Sequence, residues 1–470
     1  MSRTIKVNPL TRISGFMEIE VKLQNNKVVD AKSSGLLFRG FEKMLLGRSP
    51  FDAIYFTERI CGICSTAHSV ASTLALEDAL SVFPNENGKM LRDIIHGWEF
   101  IQNHIRHFYL YTLPDFIVTP EIQPVSSAGG YDLRLPKALN KKISEDYLEA
   151  IKISRLAHQG LAVLGGKAPH NHGIFVGGVT ETINASNLIN LKYLVSETKA
   201  FINNRMLEDV NIIADYYGDY FNMGKGYGNL MTYGVFDTYK DNEVFYVKPA
   251  VFINKNVLPF DKMKITENIY NSWYMGETVQ SDPFGNFTED DMDKAPAYSF
   301  VKAPRYNGNS MEVGPLARMI LSSNYPNRIS MMDRTIARVL ETKKIIDIIG
   351  ELLERVSFEP VVQRQYEIPE SRRGGGLIDT TRGSLAHWVS IEKKVINHYN
   401  IITPSGWNCS PTDSKEVRGA IEQSLIGTEI QNPEQPVEIG RIVRSFDPCI
   451  SCATHIVSDR FKPMEIIICP

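Results

Sequence analysis

The sequence predicts an α+β chain, a central bundle of long helices with β-strand regions at its periphery. Residues 4–34 partly alternate apolar and polar side chains, as half-buried strands do. From about residue 50 the apolar positions recur at helical spacing through several long stretches. A Cys-x-x-Cys pattern also occurs near both ends of the chain, so the fold must bring those ends together.

The strands are expected in IKVNPL, FMEIEVKL and KVVDAKSS, with Asn25-Asn26 turning between the last two. AHSVASTLALEDAL, free of Pro and Gly, predicts the first long helix. MLRDIIHGWEFIQNHIRHFYLYTL predicts the second, ending near Pro114. Residues 145–165 and 187–216 read as further helices, separated by the ordered loop GGKAPHNHGIFVGGVT. Residues 217–310 are mixed, with short aromatic strands such as EVFYVKPAVFI. A helix is expected over 329–356, short strands with turns over 375–408, and a short helix in KEVRGAIEQSLIG. No linker, low-complexity segment or repeat other than the doubled motif interrupts the chain. Domain limits within the chain are therefore soft. The chain's parts are a β-rich region to about 50, a helical core over about 51–216 and 325–360, a mixed insert over about 217–324, and a metal-binding part over about 375–455.

The 470 residues are 43% hydrophobic and 22% charged, ordinary values for a globular protein. A net charge of −3 gives no case for nucleic acid or an anionic membrane surface. No apolar run is long enough to span a membrane. MSRTIKVNPLTRISG has neither a signal-peptide core nor a twin-arginine pair, so any export is expected to depend on a companion.

Four of the six cysteines lie in the doubled motif: Cys61 and Cys64 in RICGICSTAH, Cys449 and Cys452 in DPCISCATH. A His follows each pair, His68 and His455. Two such pairs can offer one metal four thiolates, which suits zinc, Cu(I), iron–sulfur clusters or nickel. A closed structural zinc site and thiol redox chemistry are the plainer readings. The distance in sequence between the pairs, the matched His residues and the polar residues around the second motif count against zinc.

Together with NPLTRISGFMEIEV, LLFRGFEKMLLGRSPFDA, GKAPHNHG, VGGVT, KAPRYNGNSMEVGPLAR, RGSLAHW and ITPSGWN, the two motifs resemble the large subunit of nickel–iron (NiFe) hydrogenases. The resemblance runs the length of the chain and implies that family's fold. It also implies reversible heterolytic cleavage of dihydrogen at nickel and an iron carrying carbon monoxide and cyanide. Cys61 and Cys449 would be terminal nickel ligands, with Cys64 and Cys452 bridging to iron. Arg382 would hang over the open nickel side, oriented by Asp447. Ser405 would hydrogen-bond a cyanide, and His68 would donate to the Cys64 sulfur. Glu42, the carbonyl of Ile401 and His455 would bind magnesium. Residues 1–455 would form a single large-subunit domain, and residues 456–470 would be a maturation extension, cut off after His455 by a dedicated protease once nickel-insertion proteins have acted. Only Cys409 and Cys469 remain, too few to hold an iron–sulfur cluster, so an iron–sulfur small subunit is the implied partner. The final location would be cytoplasmic, or membrane-associated or exported with that subunit.

Three positions depart from the family's pattern. Ser14 stands where a proton-relaying Glu is usual, Asn103 where an Asp is, and Thr381 where a Pro is. Serine has no titratable group in range, so Glu18 or Glu58 are alternative acids, with Ser14 plus water as another. A hydrogen sensor with the same metals is the alternative function, disfavoured by the tail. A quinone-reductase relative is disfavoured by the four retained cysteines. His170 and His172 are expected to be structural, His104 to face the pocket more than His96 or His107, and Glu312 to be either a proton carrier or a satisfied buried acid.

Overall fold

The computed structural model describes residues 2–120, 132–236, 246–285, 289–359 and 366–453, with Cys452 and Ala453 described for their backbone alone. The N-terminal sheet is antiparallel, with Ser2–Val7, Met17–Gln24 and Lys27–Gly35 side by side in chain order. Asn25 and Asn26 both take positive φ, 51° and 60°, as a two-residue hairpin turn requires.

Four long helices form the centre. Glu86–Arg106 packs against both Lys137–Gly165 and Met331–Leu353, and Ala185–Phe201 packs against the last two. Ile94, Ile95, Trp98, Ile101, Ile105, Ile345 and Ile349 are among the side chains that fill this core. Three of the helix starts are capped by side chains the sequence places there: Asn85, Asn184 and Ser330 each accept a backbone N–H of the first turn.

Several boundaries differ from the sequence reading. The third long helix begins at Lys137 rather than 145. The second passes into a π-helical turn over His107–Thr112 before Pro114 stops it. The helix Val437–Ser445, unforeseen in the sequence, leads into the second Cys motif. The strand expected across EVFYVKPAVFI reduces to Ala250–Ile253, and residues 243–245 of that segment lie outside the described residues.

The largest difference lies at 371–402. In place of short strands there are three long antiparallel ones, Ser371–Thr380, Gly383–Glu392 and Val395–Ile402. Gly383–Glu392 is buried at all but its last residue, so it lacks the alternation that marks a one-sided strand. This sheet lies on the helix Ser65–Leu80. Gly374 and Gly376 allow the approach, since a Cβ on Gly376 would stand 2.1 Å from the Ala71 carbonyl oxygen. The result presses the helix that follows the first Cys motif against the sheet whose turn carries Arg382.

Candidate metal centre

The first motif ends at the N-terminus of the helix Ser65–Leu80, with Cys64 at the capping position and making no side-chain cap bond. The exposed amides find an acceptor on the next helix. Glu99 takes the N–H of Thr66 at 2.7 Å and of Ala67 at 2.9 Å. A helix N-terminus favours negative charge, and so favours thiolates nearby.

The second motif reaches the first through a turn in which Asp447 has φ 54°. The N-terminal segment secures it. Ser14 forms a parallel bridge with Cys449, its N–H donating to the Pro448 carbonyl at 3.2 Å and its carbonyl accepting from Ile450 at 2.7 Å. Gly15, at φ 90°, lets the segment come this close: a Cβ there would be 2.6 Å from the Ser451 nitrogen. Arg39 ties the motifs together by donating to the carbonyls of Arg59 (3.2 Å), Ile60 and Ser451 (2.7 Å).

As a consequence the sulfurs of Cys61, Cys64 and Cys449 lie within 4.8 Å of one another, all buried. Cys61 and Cys449 are 3.4 Å apart, well beyond the ~2.05 Å of a disulfide. The side chain of Cys452 and all of His455 lie outside the described residues.

Arg382 faces the same cavity as Cys64, Cys449, His68 and Ser405. Its Nε donates to the Asp447 carbonyl at 2.9 Å, and Nη2 lies 3.0 Å from Asp447 Oδ1. Its Nη1 is buried with no hydrogen-bond partner among the described residues. Asn103 donates to Asp447 Oδ2 at 2.9 Å and accepts from Arg106 at 3.3 Å. Burial alone would raise the Asp447 carboxyl. Arg382 first, then His107, Arg338 and the Asn103 hydrogen bond, overcome this and hold it well below the usual range.

Ser405 Oγ accepts the Cys449 N–H at 2.9 Å. His68 Nδ1 lies 3.1 Å from His387 Nε2, and His387 Nδ1 is 2.8 Å from the Tyr399 hydroxyl. Burial lowers His68 to about 4, so it stands neutral. A second cavity brings Glu42 and Ile401 together, where Glu42 accepts the Ile401 N–H at 2.9 Å. Glu267 and Lys302 line that cavity too, and nothing in the motifs pointed to them.

His104 does not face the sulfurs. It pairs with Glu341 at 2.8 Å inside a buried network with Arg318. His107, where the π turn begins, lies 3.8 Å from Asp447 instead. His96 is packed in the core. Glu312 is a satisfied acid, held by Arg334 through two 2.7 Å contacts. His170 is half-buried, and His172 is exposed with its ring edge-on to Tyr55. The sequence reading missed His387, Arg39, Arg106, Arg338 and Glu99, whose positions depend on packing between distant segments.

Sulfur donors this close, under a cation whose charge they strengthen, suit a soft transition metal. The fold and this donor set define a metal-dependent oxidoreductase subunit. The family model for nickel-dependent hydrogenases matches residues 39–144, 127–328 and 323–455. The periplasmic NiFeSe hydrogenase large subunit of Desulfomicrobium baculatum is 35% identical, over 96% of this chain and 95% of the relative. The hydrogenase-2 large chain of Escherichia coli K12 is 29% identical over 97% and 98%. The Ni-Fe-Se hydrogenase structure from D. vulgaris Hildenborough superposes with a TM-score of 0.93 at 37% identity, covering 97% of this chain and all of that one. The chain belongs to the nickel-dependent hydrogenase family and is a hydrogenase large, catalytic subunit.

Proposed function

We propose that this chain cleaves dihydrogen reversibly into protons and electrons at a nickel–iron site, the electrons leaving through an iron–sulfur small subunit. The observation that carries this is the convergence of three sulfurs beneath the unpartnered Nη1 of Arg382. Cys61 and Cys449 would hold nickel terminally, and Cys64 and Cys452 would share it with an iron carrying carbon monoxide and cyanide. When bound, that pair supplies a Lewis-acidic, redox-active centre able to polarise a very weak acid.

The chain's own residues do the rest. Asp447, kept ionised, fixes the Arg382 guanidinium so that a charged N–H group points into the cavity without rearrangement. Ser405 fixes the Cys449 backbone, and its hydroxyl, which also contacts the Cys409 thiol, would turn to a diatomic ligand. His68, neutral and aligned by His387, would tune a bridging sulfur. Glu42, Ile401 and His455 would hold magnesium, and the Glu42–Ile401 pairing beside Glu267 is consistent with a hard cation.

The family match stops at residue 455, which supports reading 456–470 as a maturation extension handled by a protease and nickel-insertion proteins. No described helix is long and apolar enough to cross a membrane. Location would follow the small subunit, either cytoplasmic or membrane-associated or exported.

Metal analysis of the purified two-subunit complex tests this reading, together with dihydrogen uptake using a viologen dye. Equimolar nickel and iron with uptake are expected. Zinc in the thiolate site, or nickel without uptake, would overturn it.

A further inference from the structure

The carboxylates around the metal centre are of two kinds. Asp447 and Glu341 are pinned by arginines and ionised at working pH, Glu341 being lowered to about 2. Glu99 and Glu58 are also buried, yet neither forms an ion pair among the described residues. Glu58 lies three residues before Cys61, Glu99 holds the first amides of the helix that follows Cys64, and the reaction as described gives them nothing to do.

They are joined by hydroxyls. Glu99 holds the N–H groups of Thr66 and Ala67 and also contacts the Thr66 hydroxyl. Asn171 Nδ2 lies 3.5 Å from Thr66 Oγ1, 3.0 Å from Ser69 Oγ and 2.9 Å from Glu58 Oε1, which sets the three groups in one cluster. The Ser69 hydroxyl also contacts Glu58. Beyond Glu58 lie Tyr55, Arg59, Lys167 and His170, with the exposed His172 at the surface.

Building on the hydrogenase reading, we infer that Glu99 and Glu58 form a proton relay from the rear of the thiolate centre toward the surface loop 167–172. Heterolysis yields one proton per dihydrogen. That proton adds to the Glu99 carboxylate, passes to the Thr66 hydroxyl, crosses the gap spanned by the Asn171 amide to the Ser69 hydroxyl, which at rest donates to the Thr66 carbonyl at 2.9 Å, and reaches Glu58 and solvent, each group returning to its starting state. No bond other than O–H is made or broken on the way.

The groups facing the two acids agree with this. Burial pushes Glu99 up to about 8 against the pull of the Thr66 and Ala67 amides, with Cys61 raising it slightly. Burial likewise takes Glu58 to about 8, with Glu99 raising it and Ser69, Arg59 and Lys167 opposing. A carboxyl in that range both accepts and releases protons at working pH. Asp447, held far lower, cannot. Ser14, at the family's usual relay position, offers only a hydroxyl contact of 3.3 Å to Ser451.

A plainer role for Glu99 is as a helix cap, and the test must separate the two. In the two-subunit enzyme, Glu99→Gln keeps one of the two acceptors that cap the helix while removing the proton site, and Glu58→Gln, at the last residue of the helix Asp52–Glu58, keeps an amide oxygen for Asn171. Nickel content reports folding and loading. The infrared carbonyl stretch of protonated carboxyls is followed from pH 6 to 9, along with D2/H2O exchange and viologen-coupled uptake. The relay predicts a protonated-carboxyl band that titrates near pH 8, shrinks in each variant, and accompanies a fall of about 10²-fold in exchange and uptake. Glu99→Asp should restore part of both. Variants with normal nickel, an unchanged band and wild-type rates would overturn the relay alone. If Glu99→Gln loads no nickel, Glu58→Gln decides by the same criteria. A wild-type complex that takes up no dihydrogen would overturn the hydrogenase reading and the relay with it.

Discussion

The Arg382 face of the thiolate centre and the Glu99 face bury the same kind of group and treat it in opposite ways. On the first, Asp447 sits among Arg382, Arg338, His107 and Asn103, and its charge is fixed. On the second, Glu99 and Glu58 meet amides and hydroxyls, and among the described residues no arginine forms an ion pair with either, Arg59 acting on Glu58 only at a distance. Burial is common to both, so the counter-cation decides whether a carboxylate becomes a fixed part of the electrostatic frame or a carrier of protons.

The largest break in that contrast should come from Arg382→Lys. The substitution keeps a positive charge but loses the planar fork that engages both the Asp447 carbonyl and its carboxylate. Uptake should fall by about 10² to 10³-fold, while nickel content stays near normal. A loss under about threefold would show that charge alone suffices and that the fixed geometry is dispensable.

Asp447→Asn should act on stability first. Removing one partner of a buried pair leaves Arg382 uncompensated, at a cost of about 3–5 kcal/mol. The Asp447 carboxyl is depressed in the folded state, so its contribution is present above the unfolded value of about 3.9. It is lost as pH falls toward the folded value. Denaturant unfolding of wild type and variant should therefore differ most near neutrality and converge in strong acid. A gap independent of pH would mean that packing, not charge, is what Asp447 supplies.

Glu99→Gln should show the opposite slope. The Glu99 carboxyl is raised to about 8, so the wild type is relatively stable below the unfolded value near 4.3 and loses that advantage as pH rises through about 8. Gln has no such titration. The variant should gain on wild type by a few kcal/mol between about pH 5 and 9, measured by the same unfolding experiment. Parallel curves for the two proteins would place Glu99 with Asp447 as a fixed charge and erase the contrast.

How much of this was legible in the chain depends on distance along it. The Cys residues, Arg382 and Asp447 sit in short motifs, so their types and spacings stand out, and the structure draws three of the cysteines together. Glu42 and Ile401 were legible only through resemblance to a family, because nothing local marks a lone Glu and a carbonyl as a pair. The Glu99 relay was not legible as a unit: it joins residues 58, 66, 69, 99 and 171, which only packing brings together. His104 and His107 exchange their expected places because Glu341 pairs with His104 inside the core while His107 lies 3.8 Å from Asp447, contacts that only packing between distant segments sets. The long sheet was read as short strands with turns, because nothing local shows that Gly374 and Gly376 let a strand lie on a helix backbone.

The smallest effect should come from Ser14→Ala. Ser14 holds the second Cys motif through its backbone, which donates to Pro448 and accepts from Ile450, and alanine keeps both bonds. The hydroxyl's 3.3 Å contact with Ser451 is long for O–H···O, so little stability rests on it. If protons leave by Glu99, this hydroxyl carries none of them, and uptake and D2/H2O exchange should stay within about twofold of wild type, far below the effect of removing an acid–base group. The informative companion is Ser14→Glu, which puts a carboxyl beside Cys449, opposite the Glu99 side. Combined with Glu99→Gln, it should recover part of the lost exchange, because a second acid then borders the same sulfurs. A drop of about tenfold or more in Ser14→Ala alone would return the proton to the Ser14 side and leave Glu99 as a helix cap.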